Sequence, residues 1–532
     1  RERSISRAGF GLSWGFFCTA WMRGRAKSSG RAREMARILL PSRMAILLLA
    51  GPRRRDRLRL LAISWWRPMV GPCRQFMIGI AAVLILGCID SGSVISKNPI
   101  SQRNSMSSNF KRAGWRNHTN IYEVNIRQYT PEGSFNAFAK QLPRLKKMGV
   151  ETLWFMPVTA ISKEKRQGSL GSYYAVSDYT AINPEFGTLD DFKNLVAEAH
   201  GMGFKVIIDW VANHTGWDHV WTKSHPDYYE KDSSGGFKPA PGMADIIELD
   251  YNNPAMVDDM IAAMQFWVKE CKIDGFRCDL ASWVPLVFWQ KARSLLDKHK
   301  PLFWLGEFDP LDSPDYMDVF DVAYTWTWMH KTEDFYKKQR DPVLLLDVLK
   351  KYQEVLPAET SGLFFTSNHD ENTWNGTEYE KYGDMAKALA VFSCTWKGVP
   401  LVYSGQELPN FKRLKFFDKD TIAWTGKFEL QEFYHRLLSL HSSHPALASA
   451  DKHAETTILP ISTDSSILAY MRKKGDREVL VLLNLSPYPS KFTLPPGSIS
   501  GNFKELFSGQ KKVCRPDSQF ELPQWGYKVY FK

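Results

Sequence analysis

From Trp115 onward, short apolar runs of β type alternate with stretches whose apolar positions recur every three or four residues. Runs at 121–125, 152–156, 205–209, 275–279, 303–307, 319–323, 362–366 and 400–404 predict eight strands. Helical periodicity over 135–148, 189–202 and 254–271 falls between them. Repeated β–α units bury a parallel sheet beneath a ring of helices, so the pattern predicts a (β/α)8 TIM barrel with insertions.

Two departures from that rhythm define the remaining organisation. After the third strand, a connection from His214 to about Tyr251 contains Gly235, Gly236, Pro239 and Pro241 and has little periodicity. A segment this long predicts a functional excursion or small subdomain over about 215–251. Beyond Pro445 the pattern turns to alternating strands, at 467–471 and 478–484 around a Lys474-Gly475-Asp476 turn, then 492–494 and 527–531. These predict a C-terminal antiparallel β-sandwich domain over 445–532, behind a catalytic barrel over 114–444.

Charge changes the picture of the first residues only. The net charge of +12 resembles a nucleic-acid signal, but residues 1–76 hold 17 Lys/Arg against 3 Asp/Glu, leaving 52 against 54 in the rest. An imbalance confined to an Arg-rich leader gives no basic face for a phosphate backbone, and nucleic acid is excluded as a partner. That leader reads either as upstream translated sequence outside the mature protein or as a transit peptide. Next come Arg74, the apolar stretch 77–87 and Cys88, an n-region, h-region and small-residue pattern of a secretory signal. Eleven apolar residues are too few for a membrane-spanning helix, which needs about 20. Ile85-Leu86-Gly87-Cys88 resembles a bacterial lipobox, which implies lipidation at Cys88; the alternative is an ordinary signal peptide. The polar stretch 89–113 suits a flexible tether. The expected location is the bacterial cell envelope, lipid-anchored or secreted, with the protein a monomer. Cys271, Cys278, Cys394 and Cys514 form no CxxC pair, so neither a zinc site nor a disulfide framework is indicated.

The candidate chemistry lies at strand ends, where TIM-barrel active sites are built. KVIIDWVANH brings Asp209, Asn213 and His214; DGFRCDLAS brings Arg277 and Asp279; FWLGEFD brings Glu307; FFTSNHDEN brings Asn368, His369 and Asp370. One Asp after a strand is commonly a cap or turn residue, but four such motifs fall in order on strands three, four, five and seven. Arg277, two residues before Asp279, projects to the same side of an extended strand and is expected to keep that carboxyl ionised. Glu307 stands among Phe303, Trp304 and Phe308, a setting expected to raise its pKa.

With these motifs the chain resembles the α-amylase family of glycoside hydrolases over about 115–532. The resemblance implies Asp279 as nucleophile, Glu307 as general acid/base and Asp370 as the third carboxylate. It further implies Arg277, His214 and His369 as sugar-site residues, Asp209 as a structural residue beside them, and Tyr174 stacking on the sugar with Asp178 as its partner. It also implies α-glucan as substrate, no cofactor for the chemistry, and a structural calcium with Asn213 as ligand. The pattern departs after the nucleophile, where Leu280-Ala281-Ser282-Trp283 replaces the family's Ala-x-Lys-His, and where Glu248 replaces an aspartate of the inserted domain. Hydrolysis of α-1,4 bonds is the leading expectation. The alternatives are a transglycosylase or trehalose-forming enzyme, and a non-catalytic carbohydrate-binding relative.

Overall fold

The computed structural model describes residues 110–338, 341–461 and 464–532; the leader at 1–76, the 77–88 segment with Cys88, and the tether as far as residue 109 lie outside the described residues. The barrel strands are β1 (Ile121–Val124), β2 (Thr152–Phe155), β3 (Lys205–Trp210), β4 (Gly275–Cys278), β5 (Phe303–Gly306), β6 (Val322–Tyr324), β7 (Ser361–Phe364) and β8 (Val399–Tyr403). They close in the order β1-β8-β7-β6-β5-β4-β3-β2, every pair parallel. The predicted closed barrel is therefore present. Its strands read as continuous apolar runs because a parallel sheet is covered on both faces, and β1, β2, β4 and β5 are buried throughout.

Local chemistry sets the element ends. The helix Leu189–Gly201 opens on a reciprocal cap between Thr188 and Asp191. The helix Pro254–Glu270 opens on the Asn253 side chain, with proline where a missing N–H costs nothing. The single helix expected at 135–148 is two, Phe135–Ala139 and Leu142–Met148, because Pro143 has no amide to continue the first and starts the second instead. Strand β6 begins later than predicted because Val319 and Phe320 still donate to the Tyr316 carbonyl of a preceding helical turn.

The excursion after β3 carries a small antiparallel sheet of His214–Gly216, Met243–Glu248 and Pro239–Ala240. The C-terminal region forms a six-stranded antiparallel sheet, with the two strands Ser490–Thr493 and Gln519–Leu522 as a separate pair. Leu480, Leu482, Phe492, Phe520 and Leu522 share one core. The predicted turn is present, with Gly475 in the left-handed conformation at φ +62° between Ile467–Lys474 and Arg477–Asn484. Tyr470 joins this sheet to the barrel, its hydroxyl 2.6 Å from Thr395 Oγ1 and its ring against Trp396.

The lower end of β4 sets how closely β5 approaches. A Cβ on Gly275 would stand 2.1 Å from the Phe303 carbonyl oxygen, so only glycine permits this spacing. Gly275→Ala is expected to destabilise the fold by about 3 kcal/mol, the upper range for overpacking, read as a lower midpoint in urea unfolding. An unchanged midpoint would mean that the strands separate freely.

Candidate active site

Register carries the motif residues to one end of the barrel. In the β3–β4 pair Asp209 lies beside Arg277, and in the β4–β5 pair Cys278 lies beside Gly306. Asp279 and Glu307 therefore leave the sheet side by side, with the Glu307 amide donating to the Cys278 carbonyl.

The centre is the Arg277 guanidinium, fully buried in the barrel mouth. Its Nη1 is 2.9 Å from Asp209 Oδ1 and 3.0 Å from Asp279 Oδ1; its Nη2 is 2.9 Å from Glu307 Oε2; its Nε donates to the Tyr324 hydroxyl at 3.2 Å. The planar fork with donors on three nitrogens makes this sharing geometrically feasible, as a lysine could not. Trp154 lies beneath it, 5.0 Å from the guanidinium carbon. Leu280 takes a left-handed backbone, φ +41°, a strained conformation for a bulky residue, and so points its amide at Glu307 Oε2, 3.0 Å away.

Across the mouth, His369 Nε2 is 2.7 Å from the Tyr174 hydroxyl and 3.3 Å from Asp370 Oδ2. Tyr174 donates to Asp209 Oδ2 at 3.0 Å, and its ring is stacked between His369 and Phe416. The residues brought together are thus Asp209, Arg277, Asp279, Glu307, Tyr174, His369 and Asp370. Asp178 is not among them. It lies in the strand Val176–Ile182 with its carboxylate accepting from the Thr180 amide and hydroxyl. Tyr174 finds Asp209 in its place. His214 is buried, with Nδ1 near the Asn213 amide at 3.3 Å and Nε2 without a partner in the protein. Such a nitrogen is suited to a ligand hydroxyl.

The electrostatics differ from expectation at Asp279. Arg277 is shared among three carboxyls, and burial together with the Glu307 charge pushes Asp279 well above the ordinary carboxylate range despite it. Glu307 is not held in an apolar setting, since one oxygen meets the guanidinium and the Leu280 amide. Burial and Glu307 push Asp370 up to about 8, and burial pushes Asp209 up to about 6. Burial takes His214 down to about 3 and holds His369 well below the usual imidazole value.

Residues absent from the sequence expectation complete the site. Glu123 on β1 contacts His369, Tyr324 on β6 contacts Arg277, and Leu280 binds Glu307 through its backbone. A charged residue inside an otherwise apolar strand was the available signal for Glu123. Trp374 and Trp283 stand partly exposed, at 37% and 43%, whereas Trp210 is core.

Two residues expected near the calcium have contacts within the protein. Asn213 turns its amide nitrogen to His214, and Glu248 is taken by the Lys238 ammonium at 2.5 Å. Among the described residues no three His, Cys, Asp or Glu side chains converge as ligands.

Protonation of the cluster has a consequence for stability. Asp370 holds its proton to about pH 8 in the fold against 3.8 ordinarily, so between those values the folded state binds more protons and stability falls as pH rises. Asp370→Asn is expected to flatten the decline of the thermal midpoint across that window; an unaltered slope would assign the protons elsewhere.

Comparison with known proteins agrees with this geometry. The family described as alpha amylase, catalytic domain, matches residues 99–243 and 240–432, and that described as maltogenic amylase, C-terminal domain, matches 457–529. Alpha-amylase 2 of Dictyoglomus thermophilum is 24% identical over 75% of this chain and 74% of its own. Alpha-amylase MalA of Haloarcula japonica is 27% identical over 76% of this chain, which spans 60% of that protein. The crystal structure of a noncanonic maltogenic α-amylase, AmyB, from Thermotoga neapolitana superposes with a TM-score of 0.72 at 28% identity, covering 78% of this chain and 99% of the other. With the catalytic-domain match spanning more than half of its length, a closed barrel and four acidic strand ends around one arginine, the chain belongs to the α-amylase family of glycoside hydrolases.

Proposed function

We propose that the protein hydrolyses α-1,4-glucosidic bonds of starch or maltooligosaccharides with retention of configuration. The observation that carries this reading is the single buried guanidinium that holds the Asp279 and Glu307 carboxyls together at the barrel mouth. Retention needs two adjacent carboxyls, one to attack and one to give a proton. Asp279, ionised, attacks the anomeric carbon while Glu307 protonates the departing glycosidic oxygen, leaving a covalent glycosyl ester. Glu307, now a carboxylate, takes a proton from water, which attacks the same carbon and frees Asp279. The Asp370 carboxyl, raised to about 8, supports the retention of a proton within the cluster near neutral pH, and such a cluster titrates as a unit. Asp370 and His369 face the sugar hydroxyls, with Nε2 of His214 as a further donor.

A second reading, transfer of the glycosyl unit to another sugar, is favoured by Trp283. Two residues of the polar leaving-side sequence are Ser282 and Trp283 here, and Trp283 is 43% exposed beside the nucleophile loop. An indole face suits the apolar face of an acceptor sugar better than water. A chain starting near residue 109, incubated with maltoheptaose, is expected to release α-configured products in proton NMR. Asp279→Asn and Glu307→Gln are expected to lower kcat on the order of 10⁴-fold or more. A first-formed β product would overturn retention, and longer oligosaccharides on adding an acceptor would make transfer the main reaction.

The apolar stretch ending at Cys88 supports a bacterial envelope enzyme anchored by lipid at that thiol. A single chain supplies every member of the carboxyl cluster, which supports action as a monomer. Labelled palmitate is expected to enter the wild type and not Cys88→Ala; equal labelling would exclude that anchor.

A further inference from the structure

Strand β1 holds a carboxyl that the reaction above does not use. Glu123 interrupts the apolar run Ile-Tyr-Glu-Val, is wholly buried, and places Oε1 2.5 Å from His369 Nδ1. From there a row of contacts leads into the site: His369 Nε2 to the Tyr174 hydroxyl at 2.7 Å and to Asp370 Oδ2 at 3.3 Å, then the Tyr174 hydroxyl to Asp209 Oδ2 at 3.0 Å.

Counting hydrogens along this row assigns the donors. Tyr174 has one hydroxyl hydrogen and gives it to Asp209, so toward His369 the hydroxyl oxygen accepts and Nε2 carries the hydrogen. Burial and the Arg277 charge keep the imidazole neutral, which leaves Nδ1 a bare lone pair. A lone pair 2.5 Å from a carboxyl oxygen needs a hydrogen on that carboxyl. The second oxygen agrees, since Glu123 Oε2 is buried without any partner, a position far more costly for an anion than for the carbonyl of a neutral acid. The charged and titratable groups around it are Arg277 on β4, Asp209 on β3, His369 and Asp370 after β7, Tyr324 on β6 and Tyr403 on β8. Of these, only Arg277 is a fixed cation, and it is already shared by three carboxyls.

We propose that Glu123 is a positioning residue kept as a neutral carboxylic acid, which donates to His369 Nδ1, fixes that tautomer and so aims Nε2–H at Tyr174 and Asp370. It rests on the hydrolase reading for its effect on rate. Burial pushes its carboxyl well above the ordinary range, in the same sense.

The amide of Glu123→Gln can donate from the same place, whereas Glu123→Leu keeps much of the volume and cannot donate. The glutamine variant is expected to hold kcat/KM within about threefold of wild type with an overlapping pH profile, since its amide supplies the required donor. The leucine variant is expected to lose kcat on the order of 10²-fold with KM little changed, as a misaimed group does. Infrared difference spectra of the glutamine variant against wild type should lose one protonated-carboxyl C=O stretch. That reading needs no turnover, so an inactive wild type would overturn the hydrolase reading and leave this one decidable. The proposal fails if the glutamine variant is as impaired as the leucine variant, if no protonated-acid band is lost, or if the leucine variant is fully active. Should the leucine variant not fold, the glutamine kinetics and the spectra still decide.

Discussion

One cation supports a disproportionate amount of negative charge. Arg277 lies where water does not reach, and three carboxyls meet its fork while two more stand within the same mouth. A lone carboxylate could not be buried there, and a lone guanidinium would be equally costly. Each side makes the other tolerable, so removing the guanidinium alone would leave its carboxylates buried without countercharge. The aromatic floor of Trp154 and the Tyr324 hydroxyl complete the solvation that bulk water would otherwise give.

Because charge exceeds countercharge, protons make up the difference. Asp370 holds its proton into the neutral range, and the imidazoles are pressed the other way, toward neutrality. A proton-bearing carboxyl therefore lies next to others of the cluster before any substrate arrives. That is an economical preparation for acid catalysis, since the proton need only move between neighbours.

Much of this was legible in the chain. The barrel strands were visible because parallel strands buried on both faces are apolar throughout, and Asp209, Arg277, Asp279, Glu307 and Asp370 were visible because strand ends are where polar residues resume. What was hidden is relational. The family resemblance made Asp178 the partner of Tyr174, but that hydroxyl reaches Asp209 across the barrel while Asp178 accepts from Thr180. The surroundings of Glu307 were misread because near neighbours in sequence point along the strand into the core, while its oxygen meets β4 and the Leu280 amide. Glu123 was hidden for the same reason: its partner lies 246 residues away. Adjacency in a barrel belongs to strand order, and only closure reveals it.

That dependence on closure has a kinetic side. The site draws on β1, β3, β4, β5, β6 and the turns after β7, so no short stretch of the chain contains it. Parallel pairings between distant segments form slowly, and the β1–β8 seam joins strands nearly 280 residues apart. Partly assembled sheets would expose a row of acidic groups without the full countercharge, a repulsion that disfavours stopping midway. Recovery of turnover during refolding would thus mark the last step of assembly, with catalysis reporting on the moment the cylinder shuts.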